Sequence, residues 1–185
     1  MKRVPYEGGI VNWEEISQLP REQLLALFHD TLRNLVRLDG YWFLAVEQFA
    51  GQEAAVKADE SVWQRFGRVE AFQIRRTFEI KADGIPALVH ALRSSLLWPL
   101  SCDYHVEQTS PIEAIFHVFH CSSQVERLKA GLGTFPCRGV EEGYFSAFAH
   151  TIDPRIEVTC ISCPPDNHPD RLWCQWHFRL EKSDL

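Results

Sequence analysis

From Arg21 the chain places Leu24, Leu25, Phe28, Leu32, Leu35 and Val36 at intervals that gather apolar side chains on one face of an α-helix. Pro20 stands at its start, and Asp39-Gly40 supplies a stop. Helical periodicity resumes over Tyr41–Ala50 and Ala54–Phe66, hinged near Gly51, and continues over Gly67–Glu79 and Pro86–Leu97 with Gly84 between them. Pro99 ends the run, because proline removes a backbone donor and crowds the preceding turn. Past residue 100 the period changes. Cys102–Gln108 and Ile112–His120 are short, rich in aromatic and β-branched residues, and joined by Thr109-Ser110-Pro111, which predicts an antiparallel hairpin. Ser122–Leu132 predicts a helix with Ser123 and Glu126 spaced as a capping box. Gly139–Thr151 predicts another, ending before Asp153-Pro154. Ile156–Ser162 and Leu172–Glu181 alternate as strands around the loop Pro164–Pro169. The whole pattern predicts an α+β fold, an N-terminal helical layer packed on a small antiparallel sheet. The expected organisation is a single domain over 1–185, with a helical half (1–100) and a cysteine-rich α+β half (101–185).

A chain of 185 residues buries roughly 70% of its unfolded surface, so it needs no disulfides to fold. The net charge of -6 argues against a surface that tracks nucleic-acid phosphates. Arg65, Arg68, Arg75 and Arg76 do cluster, but Glu70 and Glu79 sit among them at helical spacing, which predicts a solvated face. The apolar stretches Tyr41–Ala50 and Ile85–Leu100 are interrupted by Glu47, His90 and Arg93, and both fall short of the ~20 residues a membrane span needs. Residues 1–9 lack the apolar core of a signal peptide, so a cytoplasmic, reducing location is expected.

In that setting six cysteines point to metal binding or catalysis rather than disulfides. None precedes Cys102; Cys121, Cys137, Cys160, Cys163 and Cys174 follow. Cys160-Ile161-Ser162-Cys163 is a knuckle that turns two sulfurs to one side, and pairing of its flanking strands would return Cys174 beside Cys163. Cys137 or Cys121 could complete a four-sulfur site for zinc or a [4Fe–4S] cluster. Calcium and magnesium are disfavoured, since they prefer clustered oxygens. The plainer alternative is that these are core cysteines, and Cys102 fits it best.

Cys121 and Cys137 both precede predicted helices, where unpaired N–H groups stabilise a thiolate, so each is a candidate nucleophile. His117 and His120 lie near enough to serve as a base, and on a regular strand His117 would share a face with Cys121. Asp39, Glu47 and Glu70 are the carboxylates of the helical half, and Glu47 is expected to face water. Trp42, Phe43, Val46 and Phe49, with Trp63 and Phe66, are expected in the core, as a stripe wide enough to wall an apolar pocket against the sheet.

Asp39-Gly40-Tyr41-Trp42-Phe43-Leu44-Ala45-Val46-Glu47, Phe135-Pro136-Cys137, Asp153-Pro154-Arg155-Ile156, Cys160-x2-Cys163-Pro164-Pro165-Asp166 and Trp173-Cys174-Gln175-Trp176 resemble a largely uncharacterised prokaryotic family. That family is similar to the L-2-amino-thiazoline-4-carboxylic acid hydrolases. The resemblance covers most of the chain from about Arg21 onward, and Cys121, Cys137 and Cys174 match the family's cysteines before a helix, after it and in a last strand. It implies hydrolysis at a sulfur-containing or heterocyclic carbon–nitrogen centre. Cys160 and Cys163 depart from the plainer hydrolase pattern and point to a metal or cluster. A looser similarity is to 4-vinyl-reductase-type small-molecule binding domains, which imply an α+β fold with cysteines near a ligand cavity. Cys160, Cys163 and Cys174 are therefore expected to hold the metal with Cys137, or Cys121 in its place, and a small-molecule pocket is expected between helices and sheet. Cys121, with His117, is the expected catalytic pair. The rival expectation is a non-catalytic small-molecule, metal or redox sensor with a structural four-cysteine zinc site.

Overall fold

The computed structural model describes residues 13–181. A short helix α1 (Trp13–Ser17) precedes α2 (Arg21–Ala50), whose 30 residues extend roughly 45 Å at the helical rise per residue. The stop expected at Asp39-Gly40 is not used: α2 runs straight through it. Gly40 keeps a right-handed conformation, and its helix penalty is only about 1 kcal/mol. Contacts farther along α2 hold the helix together. Phe43 meets Phe135 edge-on at 4.9 Å, and Glu47 forms a fork with Arg127.

The chain reverses at Gly51, as the sequence predicts. Its φ of 86° and ψ of 164° lie in a region essentially reserved for glycine. Helix α3 (Gln52–Thr77) then returns along α2 without a break at Gly67. After α3 come α4 (Gly84–Ser94), with Ile85, Leu88, Ala91 and Leu92 fully buried, and the single turn α5 (Trp98–Ser101).

Four antiparallel strands follow: β1 (Cys102–Ser110), β2 (Glu113–Cys121), β3 (Ile156–Ser162) and β4 (Cys174–Leu180). Their spatial order is β1-β2-β4-β3. Between β2 and β3 the chain forms α6 (Ser122–Lys129) and α7 (Arg138–Ile152). The molecule is thus α+β, with its helices leading and a small antiparallel sheet behind them.

Alternation along the strands explains which face is covered. Val106, Ala114, Phe116, Val118, Trp176 and Phe178 are buried against the helices, while His105, Glu107, Gln175 and His177 occupy the other face. Helix α7 is the central element, with Tyr144, Phe145, Phe148 and Ile152 buried between α3 and the sheet. Trp98 stacks on Phe145 at 5.2 Å and 3° and tilts against Phe116 at 4.8 Å, and Phe116 meets Phe145 at 5.0 Å, so the three rings close a triangle. Aromatic rings therefore fill the helix–sheet interface.

One polar network crosses this core. Glu70 accepts hydrogen bonds of 2.7 Å from Ser95 Oγ and from the Tyr144 hydroxyl, and Trp98 Nε1 donates to that hydroxyl at 3.3 Å. Burial pushes the Glu70 carboxyl above its ordinary value, which the two donors only partly offset.

Helix α2 has no fully buried residue among those described. Trp42 is 67% and Phe49 85% exposed, so these two members of the aromatic stripe are not core. Trp63 and Phe66 do pack against it. The periodicity correctly predicts a helix but cannot say whether a partner element covers its apolar face. No helix among the described residues is long and apolar enough to cross a membrane.

Candidate functional site

The strand order places the start of β1, the end of β2, the end of β3 and the start of β4 at one end of the sheet. The N-termini of α6 and α7 begin there too, capped by Cys121 and Cys137. All six cysteines are therefore drawn to this end, although they span residues 102–174 of the sequence.

Cys102 and Cys121 face each other directly across β1 and β2. A bulge makes this possible. Asp103 pairs with His120 and Tyr104 with Val118, which leaves Phe119 as an extra residue in β2. Strand β1 keeps its alternation, so Cys102 shares the covered face with Tyr104 and Val106. In β2 the extra residue reverses the phase, and Cys121 turns inward.

This corrects the expected pairing with His117. Upstream of the bulge, His117 lies on the uncovered face, where its Nδ1 is 2.9 Å from Gln175 Nε2 and its Nε2 is 3.6 Å from Glu107. The strand separates it from Cys121, so it is not placed as that thiol's base. His120 follows the bulge and is exposed.

Cys121 sits at the α6 N-terminus, as predicted, though not through the predicted capping box. No side chain caps α6, and Glu126 instead pairs with Lys129 at 2.7 Å. The Cys102 thiol across the strand pair is the largest influence on the Cys121 thiol, and the backbone N–H groups of Gln124 and Ser123 act in the same direction; together they bring it down to about 7 against the opposing cost of burial. Cys102 is pushed far up in exchange, since it holds the proton. Cys102 packs against the hydrophobic core, as its sequence context predicts, with Cys121 opposite it.

Facing this pair is Glu141, one helical turn beyond Cys137. Among the described residues, none hydrogen-bonds or forms an ion pair with its carboxyl. Desolvation is the main cause that pushes it up to about 8, with the negative Cys121 and Asp59 adding to the rise. Asp59, on α3, is itself pushed up to about 7, first by burial and then by Asp39, while a hydrogen bond from Trp63 opposes the rise. Burial also raises Asp39. A thiol brought down to about 7 therefore lies near two carboxyls brought up to about 7 and about 8.

A second sulfur group lies alongside. Cys137 Sγ and Cys163 Sγ are 3.6 Å apart, and the pairing of Ser162 with Gln175 brings Cys174 to the Cys163 side, where it helps to raise that thiol. These contacts, then burial, hold the Cys163 thiol well above its ordinary value. The expected return of Cys174 to Cys163 is thus seen. Cys160 lies in register with Trp176 on the covered face of β3, half-buried, beside the Arg138 guanidinium. Arg138 in turn pairs with Asp166 at 2.9 Å. Among the described residues, no group of three or more His, Cys, Asp or Glu side chains is already closed into a metal site.

Gln124, 1% exposed, joins the two sulfur groups. Its backbone N–H helps to lower the Cys121 thiol, and its side-chain Nε2 donates to Cys137 Sγ at 3.3 Å and to the Phe135 carbonyl at 2.7 Å. Neither Gln124 nor Glu141 stands out in the sequence, because each sits in an amphipathic helix where a polar residue ordinarily faces water. The four-residue spacing from Cys137 to Glu141 was the one available signal.

Glu47 departs from the water-facing expectation. Both of its carboxylate oxygens accept from Arg127 at 2.9 Å, and this hydrogen bonding holds the carboxyl below its ordinary value. Two cavities adjoin the helical layer. One, of about 320 Å³, lies among Gln52, Val56, Glu60 and Pro136, next to Cys137 in sequence. The other, of about 120 Å³, lies between α2 and α3 among Leu35, Asp39, Trp63 and Phe66. Both border α3.

No curated protein matches the chain. Among solved structures it is similar to a trafficking protein particle complex subunit 3 from Naegleria fowleri, covalently bound to palmitic acid. The TM-score is 0.51 at 10% identity, covering 82% of this chain and 96% of that one. At that identity the likeness concerns the fold alone. The sequence itself matches a family of unknown function, DUF6125, over residues 17–180, nearly its whole length, and the chain belongs to that family.

Proposed function

We propose that this protein is a small-molecule hydrolase in which Cys121 attacks a sulfur-containing or heterocyclic carbon–nitrogen centre. The observation that carries this reading is the placement of Cys121 at the start of α6, directly opposite Cys102 across the strand pair, with its thiol brought down to about 7. A sulfur in that setting is a thiolate over much of the neutral range, and the thiolate is the nucleophilic form. Attack forms a carbon–sulfur bond and breaks the carbon–nitrogen bond. Glu141, protonated at neutral pH, supplies the proton the leaving nitrogen needs. Water then releases the acyl group from sulfur, and Glu141 recovers a proton. The substrate class follows from the family resemblance. The covalently held palmitic acid in the trafficking subunit supports the general idea that this fold can carry a bound acyl compound.

The test is turnover of a 2-aminothiazoline carboxylate, followed by its ring opening, in the wild type and in Cys121→Ala. Loss of at least about 10³-fold is expected for a missing nucleophile. Turnover retained in Cys121→Ala would overturn the reading. Alkylation by iodoacetamide should label Cys121 ahead of the other cysteines, with a rate that is half-maximal near pH 7.

A second reading concerns the neighbouring sulfurs. Zinc–sulfur bonds of about 2.3 Å at tetrahedral angles put sulfurs about 3.8 Å apart. The 3.6 Å between Cys137 and Cys163 is close to that spacing and far beyond the ~2.05 Å of a disulfide. We propose that Cys137, Cys163 and Cys174, with Cys160 rotating off Arg138, hold zinc as a structural site. A [4Fe–4S] cluster takes the same number of cysteines but binds each to a different iron and spreads them farther apart. Protein purified without oxygen should be colourless and carry zinc, which Cys163→Ser loses. A brown absorbing species would replace zinc with a cluster, and full zinc retention in Cys163→Ser would remove the site.

A further inference from the structure

Cys102 has no part in the attack described above beyond its influence on the Cys121 thiol, yet its position gives it a chemistry of its own. It is the register partner of Cys121 across β1 and β2. Residues directly opposite in an antiparallel pair have Cα atoms roughly 4.5–5.5 Å apart. That range lies within the roughly 4.4–6.8 Å that a disulfide bridges without moving the backbone. Both side chains lie on the covered face of the sheet, and both residues are half-buried rather than sealed. Cys137 and Cys163 offer the nearest comparison, but both are fully buried.

We propose that Cys102 and Cys121 form a reversible peroxide-sensitive dithiol, with Cys121 the sulfur that is oxidised first and Cys102 the sulfur that resolves it. In the first step the Cys121 thiolate attacks one oxygen of a hydroperoxide. A sulfur–oxygen bond forms, the oxygen–oxygen bond breaks, and the departing oxygen takes up a proton as water or alcohol. In the second step the Cys102 sulfur attacks the Cys121 sulfenic acid. The sulfur–sulfur bond forms and a second water leaves with the Cys102 proton. The two thiols lose two electrons in all, and the peroxide gains them. The product places Cys121 out of reach of any substrate until a thiol reductant reopens the bridge, so the pair acts as an oxidant-operated guard on that sulfur. The inference shares with the hydrolase reading only the reactivity of Cys121.

The experiment treats the full-length protein with one equivalent of hydrogen peroxide, alkylates the remaining thiols, and maps the peptides without reduction. The expected result is a mass lower by about 2 Da and a cross-link between the peptides carrying Cys102 and Cys121, both reversed by dithiothreitol. In C102S the resolving sulfur is gone, and Cys121 should instead be trapped by dimedone as the sulfenic acid. A disulfide among Cys137, Cys163 and Cys174 with Cys102 and Cys121 still alkylated would overturn the proposal. So would peroxide treatment that leaves all six thiols intact. The wild-type mapping stands even where C102S does not fold, and it reads thiols rather than turnover. A cross-link in a protein without hydrolytic activity would leave the dithiol in place and remove the hydrolase.

Discussion

Glu141 is the residue on which the electrostatics of the site turn. Its carboxyl has no hydrogen-bonded partner among the described residues, and burial lifts it from 4.5 to about 8. The folded chain therefore binds a proton that the unfolded chain gives up several pH units earlier. The stability associated with Glu141 is complete below about pH 4.5 and is lost as pH rises through about 8. Asp59, lifted from 3.8 to about 7, acts with the same sign. Cys121 acts with the opposite sign: its thiolate is favoured in the fold, so its contribution is present above its ordinary value of 9 and lost as pH falls through about 7. Replacing Glu141 with Gln keeps the shape and removes the ionisation. Glu141→Gln should melt higher than the wild type at alkaline pH and show a flatter loss of stability across the neutral range, measured by thermal denaturation in a pH series. An unchanged pH slope would mean that the Glu141 carboxyl is not held in this desolvated state. At this scale the cysteines were legible in the sequence, because cysteine is scarce and chemically distinctive. Glu141 and Gln124 were not, because their roles come from what α7 and α6 are packed against, which local spacing does not encode.

At the scale of elements, the contact between α3 and α7 sets the geometry of the site, since α3 carries Asp59 and α7 carries Glu141 behind Cys137. The two helices approach closely at Gly67. A Cβ added there would stand 2.5 Å from the Tyr144 carbonyl oxygen, which is backbone and cannot rotate away. Gly67→Ala should force the helices apart and cost about 1–3 kcal/mol in urea denaturation, as overpacking does elsewhere. A neutral or stabilising result would show that the approach is looser than described. The sequence located the strands well, with β3 recovered from end to end, because alternation and bounding turn residues agree there; the first hairpin turns two residues later than Thr109 suggests, since β1 continues through Ser110 and the turn falls at 111–112. It also located the reversal at Gly51. It misplaced the end of the first long helix, since Asp39-Gly40 has the composition of a stop but is carried through by contacts made later by Phe43 and Glu47. The same limit applies to the apolar stripe on α2: periodicity gives the helix, while coverage depends on elements far away in the chain.

Across the whole molecule, topology does what no short motif could. The order β1-β2-β4-β3 returns four strand ends and two helix starts to a single edge, so sulfurs from five separate elements or loops become neighbours. The chain there is organised as two adjacent sulfur sets, Cys102 with Cys121 and Cys137 with Cys163 and Cys174, linked through Gln124. The expected assignment of His117 to Cys121 failed for a reason that also belongs to this scale. A strand has a parity, odd positions to one side and even to the other, and Phe119 adds one to the count. Every residue before it in β2 keeps one parity, and every residue after it takes the other. Straightening β2 at that point with every residue kept would leave each side chain of the site chemically unchanged while sending the Cys121 sulfur to the solvent side, away from Cys102 and the start of α6. Removing Phe119 would do the reverse of harm to the pairing, since His120 and Cys121 would then follow Val118 in regular alternation, still opposite Asp103 and Cys102. What aims the Cys121 sulfur is therefore a count, two residues between Val118 and Cys121 in β2 against one between Cys102 and Tyr104 in β1.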